Sequence, residues 1–148
     1  LLLQTEYVCN SMSVLSGAGN FSGKLAEVVY QDYFPEADRK NTKHYDFIHN
    51  DCKVDIKSKT GNYIPNIHKN SVDVHTYSLE HQKCDYYVFI SIHNSFSKAW
   101  IIGGCSKQFF RDNSIMFKQG TIMESTGYEL YRDTNMLEIS KLTPIPKR

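Results

Sequence analysis

Apolar residues recur at helical spacing over residues 22–34, SGKLAEVVYQDYF, where Leu25, Val28 and Val29 fall on one face. Ser22 is placed to cap this helix and Pro35 to stop it, while Glu27 stands beside the apolar stripe. The pattern then becomes extended. Two short runs, 43–49 and 52–58, flank Asn50-Asp51, a pair that tolerates the positive φ angles of a two-residue hairpin turn. Gly61, Pro65 and three Asn make residues 59–70 a predicted loop, and residues 75–83 add a helical turn or two. The strongest strand signals are DYYVFISIH at 85–93 and AWIIG at 99–103, rich in aromatic and β-branched residues, so Phe89, Ile90, Trp100 and Ile101 are predicted core. A short helix is expected at 105–112. Beyond it, Gly120, Gly127 and Pro144 divide the chain into weak pieces whose order the pattern does not give. The expectation is an α/β protein with a mixed central β-sheet flanked by helices.

Composition narrows the class. The 148 residues suit one domain, with a core over about 22–112 and a C-terminal extension over 113–148. A hydrophobic content of 41% and a formal net charge of +1 exclude both a disordered tail and a globally basic nucleic-acid coat, so any electrostatic partner must be met by a local patch. Cys9, Cys52, Cys84 and Cys105 form no C-x-x-C pair, which leaves reduced thiols as the expectation. No apolar run approaches the ~18 to 20 residues of a membrane span, and Leu1 to Leu3 is too short for a signal-peptide core. A cytoplasmic protein is expected, although a chain that does not begin with Met leaves a removed leader open.

The hairpin carries the candidate chemistry. With Asn50 and Asp51 as its turn residues, Asp46 and Asp55 become direct cross-strand neighbours, and two like charges so placed repel unless a proton or cation sits between them. A hard divalent cation suits such a pair. Strand periodicity puts Lys57 and Lys59 on the face of Asp55. Carboxylates able to hold Mg²⁺ beside an ammonium group able to orient a water, or to stabilise charge on a phosphorus-bound oxygen, are what phosphodiester hydrolysis requires.

In this order and spacing the residues resemble the PD-(D/E)XK nucleases, the restriction-endonuclease-like superfamily that includes Holliday-junction resolvases and several phage and homing endonucleases. The resemblance covers roughly residues 25–110: Glu27 on a helix, Asp46 on a strand, Asp55-Ile56-Lys57 on the next, then a helix and two more strands. Tyr45 stands where the family motif has Pro. The resemblance implies a restriction-endonuclease-like core and an Mg²⁺-dependent DNA endonuclease, with Mn²⁺ able to substitute. It implies Asp46 and Asp55 as metal ligands, a backbone carbonyl from Ile56, Lys57 as the catalytic lysine and Glu27 supporting the metal or its water. A phage-encoded origin and a homodimer that cuts both strands are further expectations.

Local charge fits a DNA partner. From Arg39 to Lys69 seven Lys or Arg face three Asp, an excess of four, and Lys43, Lys53, Lys59, Lys69 and the loop residue Tyr63 are the candidate nucleic-acid contacts. Two further groups stand near the motif: His44 falls opposite Lys57 when the hairpin register is extended, and Gln82 lies in the short helical segment after the loop. The competing readings are a catalytically inactive nucleic-acid-binding module of the same fold and a zinc-stabilised protein using His75, His81 and Cys84.

Overall fold

The computed structural model describes residues 5–8, 21–62, 65, 70–124 and 126–145. Its main sheet has six strands, β1 (Thr5–Val8), β2 (Asp38–Arg39), β3 (Phe47–His49), β4 (Cys52–Gly61), β6 (Tyr86–His93) and β7 (Lys98–Ser106), in the order β1-β7-β6-β4-β3-β2. Only β4 and β6 run parallel, with Asp55 opposite Tyr87 and Lys57 opposite Phe89; the other pairs are antiparallel. A parallel pair needs a long crossover. Here it contains β5 (Ser71–His75) and helix α2 (Thr76–His81). A second, antiparallel sheet joins β5 to β9 (Thr134–Glu138) and β9 to β8 (Ile115–Phe117), so the C-terminal residues pair with the middle of the chain. Helices α1 (Phe21–Tyr33) and α3 (Lys107–Asn113) complete the α/β arrangement. Among the described residues no helix is long and apolar enough to cross a membrane.

The alternation of β6 divides the interior in two. Val88, Ile90 and Ile92 face Leu25, Ala26, Val29 and Tyr30 of α1, whereas Tyr87 and Phe89 face Val74, Leu79, Phe110 and Leu137. Being covered on both sides, β6 reads as an almost unbroken apolar run. Phe89, Ile90, Trp100 and Ile101 are all buried, as their sequence predicts. Strand alternation puts Ile101 in the first core and Ile102 in the second, and a bulge in β7 between the partners of Phe89 and Ile90 shifts the register there.

The hairpin forms in the predicted register, with Phe47 opposite Val54 and His49 opposite Cys52. Asn50 and Asp51 both take positive φ, 49° and 61°, as a tight turn demands. The turn is pinned to α1 by the Tyr30 hydroxyl, 2.6 Å from His49 Nδ1, while His49 Nε2 lies 2.9 Å from Glu36. Four expectations need correction. The first hairpin strand begins at Phe47 rather than Lys43, because the Thr42 hydroxyl accepts from the His44 and Tyr45 amides and donates to the Tyr45 carbonyl, folding 42–45 into a turn. Ser22 lies within α1, which starts at Phe21, so it is not the cap. Lys59, Thr60 and Gly61 belong to β4, not to a loop, because their backbone pairs with Ser91, Ile92 and His93. Strand β7 runs on to Ser106, past the predicted end at Gly103.

The paired glycines of β7 are a packing requirement. A Cβ on Gly104 would stand 2.5 Å from Tyr86 Cε1 and 2.7 Å from the Tyr87 carbonyl oxygen, and the backbone oxygen cannot swing aside. Overpacking of this kind costs about 1–3 kcal/mol. Gly104→Ala is therefore expected to lower the unfolding free energy by that amount, read as a lower urea midpoint at an unchanged slope; an unchanged midpoint would show that β6 and β7 are less tightly apposed.

Candidate functional site

Antiparallel pairing between β3 and β4 ends at Phe47 and Val54, and the chemistry begins where it stops. Asp46 keeps its amide on the Val54 carbonyl at 2.9 Å, and its Oδ2 accepts from the Ile56 amide at 2.8 Å. In a strand the N–H and C=O of one residue point the same way. The Ile56 carbonyl is thus directed to the edge that Asp46 occupies. Asp55, one residue earlier, is 5% exposed, with Oδ2 fully buried and without a hydrogen-bond donor. Lys57 Nζ lies 2.9 Å from that oxygen, within ion-pair range but off the hydrogen-bond direction, and donates instead to Gln82 Oε1 at 2.9 Å. The ammonium also stands 5.7 Å from the Tyr87 ring centroid.

Two carboxylates are thereby crowded at the edge of a buried sheet. Burial, then the charge of Asp55, pushes the Asp46 carboxyl up to about 7, against the pull of the Ile56 N–H bond; Glu27 and hydrogen bonding to Asp55 raise it further. The pair has room for one shared proton or cation in place of a second negative charge.

The structure brings Glu27, Asp46, Asp55, Ile56 and Lys57 into the lining of one open cleft of about 1010 Å³. Glu27 is held by Arg39 at 3.1 Å, so it takes a flanking place rather than a share in the carboxylate pair. Among the described residues no three His, Cys, Asp or Glu side chains converge as a ready ligand set. What the edge offers a divalent cation is two carboxylates and the directed Ile56 carbonyl, the hard oxygen donors that Mg²⁺ prefers.

The candidate nucleic-acid contacts divide. Lys43 and Lys59 line the cleft, Lys53 lies over the Tyr45 ring at 5.7 Å and outside the cleft lining, and Tyr63 and Lys69 lie outside the described residues. The positive patch is smaller than the residue count implies. Arg39 pairs with Glu27, Lys40 with Asp38, Lys57 with Asp55 and Lys59 with Asp73 at 3.7 Å. His44 does not reach the place opposite Lys57, because the turn at 42–45 carries it to the Lys83 amide, from which its Nδ1 accepts at 3.2 Å. The three zinc candidates part as well: His75 meets Tyr131, His81 stacks on Tyr77, and Cys84 packs in the second core.

The sequence places Gln82 near the motif without showing its contact with Lys57, and it gives no sign of the far wall of the cleft. Gln82, the residue that ends α2, meets the Lys57 ammonium through its Oε1, and Lys107 donates to the Gln82 carbonyl. The far wall includes Met123, Thr126, Tyr128, Leu130, Tyr131 and Met136. Neither a scan of protein-family models nor a search of curated proteins finds a match to this chain.

The raised Asp46 carboxyl has a testable consequence in metal-free protein. The folded state holds the proton up to about pH 7 and the unfolded chain only to about 4, so the stability gained from this group is full below pH 4 and lost as pH rises through 7. In EDTA, the wild-type Tm should fall between pH 5 and 8 more steeply than that of Asp46→Asn. Parallel pH profiles would mean that Asp46 ionises at an ordinary carboxylate pH.

Proposed function

We propose that this chain is a divalent-metal-dependent DNA nuclease with a restriction-endonuclease-like core. The observation that carries this reading is the buried Asp55 carboxylate: its Oδ2 lacks a hydrogen-bond donor, yet it sits beside a second carboxylate and 2.9 Å from a lysine in an open cleft. A buried carboxylate oxygen that faces an ammonium but receives no hydrogen bond has acceptor capacity left for a further ligand. The order of elements supports the same reading, since α1, the β3–β4 hairpin, α2 and the β6–β7 pair follow one another as the PD-(D/E)XK resemblance implies.

Asp46, Asp55 and the Ile56 carbonyl would hold Mg²⁺ or Mn²⁺. Such an ion polarises a phosphate oxygen and eases ionisation of water. The remaining work falls to the chain. Asp46 must release its proton for both carboxylates to act as ligands, so activity rises with pH through about 7 in weakly bound metal. Lys57 presents an ammonium at the lip of the carboxylate pair, where it orients the attacking water and stabilises negative charge gathering on the phosphorus-bound oxygens. Gln82 is a positioning residue, its Oε1 fixing the Lys57 side chain. Glu27, restrained by Arg39, adds negative charge at the cation side of the cleft.

The test is incubation with linear, supercoiled and branched DNA in Mg²⁺, Mn²⁺ or EDTA. Cleavage in either metal, abolished by EDTA, is expected to fall at least about 10²-fold in Asp55→Ala and Lys57→Ala. Binding without cleavage in every metal would turn the reading to a non-catalytic module. Gln82→Ala is expected to lose about 10- to 100-fold in kcat, the usual scale for a group that orients a site residue. Full activity in that variant would show that Lys57 is placed without it.

A further inference from the structure

Between β8 and β9, residues 118–124 and 126–133 form a small arm tied by backbone hydrogen bonds. The Gly120 amide donates to Leu130 O at 2.7 Å, Leu130 N to Thr121 O at 2.9 Å and Met123 N to Tyr128 O at 2.8 Å, with a bridge between Ile122 and Glu129. Buried Leu130 seats its base, and Asp133 accepts from the Gln119 amide. This small hairpin carries Tyr128 and Tyr131, 53% and 59% exposed, and both line the cleft that holds Asp46, Asp55 and Lys57. The Tyr131 ring is braced: its hydroxyl is 3.3 Å from His75 Nε2, the His75 ring meets it edge-on at 5.4 Å, and the Arg132 guanidinium lies 5.5 Å from its centroid.

We propose that the arm holds unpaired bases on Tyr128 and Tyr131, so that the substrate of this site is nucleic acid that is single-stranded or splayed at the cut. The inference rests on the nuclease reading for its chemistry and on the arm for its selectivity. Two points favour unpaired bases over an intact duplex. Most cations around the cleft are already committed to Glu27, Asp55 and Asp73, so attraction to a duplex backbone is modest. Aromatic rings stack on bases of any sequence, but only on bases whose faces are free, and a duplex keeps those faces inside its own stack. An arm fixed by backbone hydrogen bonds offers its rings without first having to order them.

The test uses a fluorescein-labelled oligonucleotide as a single strand, as a full duplex and as a fork with splayed ends. Binding is read by anisotropy in Ca²⁺, and cleavage separately in Mg²⁺ and Mn²⁺. The wild-type protein should bind single strand and fork more tightly than duplex. Tyr128→Ala and Tyr131→Ala should each weaken that binding roughly 5- to 100-fold, while Tyr128→Phe and Tyr131→Phe, which keep the ring, should stay within about twofold. Equal or tighter binding of duplex, no binding of any form, or alanine variants equal to wild type would overturn the arm's role; a phenylalanine variant as weak as its alanine counterpart would also do so. Arm-dependent binding without cleavage in either metal would sink the nuclease reading alone, and cleavage with arm-independent binding would sink the arm alone.

Discussion

Two carboxylates side by side at the edge of a buried sheet set the terms for the rest of this molecule. Asp55 is almost fully buried and Asp46 half so, and the charge of Asp55 makes ionisation of Asp46 harder. The protein contains the repulsion with three groups: the Ile56 amide and the Lys57 ammonium, both on β4, and a proton on Asp46 that leaves near neutrality. Such a site destabilises the fold wherever the second charge is uncompensated. Its retention in an open cleft is intelligible when a cation takes the proton's place.

The fold serves this pair by fixing both ends of a short hairpin. At the turn, Tyr30, His49 and Glu36 tie Asn50 and Asp51 to α1. At the open end, the 42–45 turn keeps β3 from starting before Phe47, the residue after Asp46, which frees the Asp46 carboxylate to cap the Ile56 amide instead of continuing the ladder. Parallel pairing with β6 anchors the other side of β4 along its length, so Asp55 and Lys57 stand on a strand that cannot slip without exposing the apolar faces of both cores.

Much of this was legible in the residues. The Asn-Asp turn, the hairpin register, the α1 helix and the β6 run are local signals of spacing and propensity, and each appears in the structure, with Ala26 and Tyr30 rather than Val28 joining Leu25 and Val29 on the buried face of α1. The shared neighbourhood of Asp46, Asp55 and Lys57 followed from that register. What was not legible is non-local. Strands β5, β8 and β9 are short and individually weak, and they exist because residues far apart in the chain pair with one another. Gln82 and the Tyr128–Tyr131 wall share the cleft for the same reason. The charge count misled for a further one: counting lysines and arginines does not show that Arg39, Lys40, Lys57 and Lys59 each have an acidic partner in space.

The most direct measurement is a titration of the metal-free protein with Mn²⁺ at pH 8, followed by electron paramagnetic resonance of the free ion and repeated on Asp46→Asn and Asp55→Asn. A cation site at the carboxylate pair predicts one ion bound per chain, displaced by Mg²⁺ and lost in both variants. Failure of the wild-type protein to bind, or equal binding in the variants, would contradict it and leave the pair as a protonated structural contact.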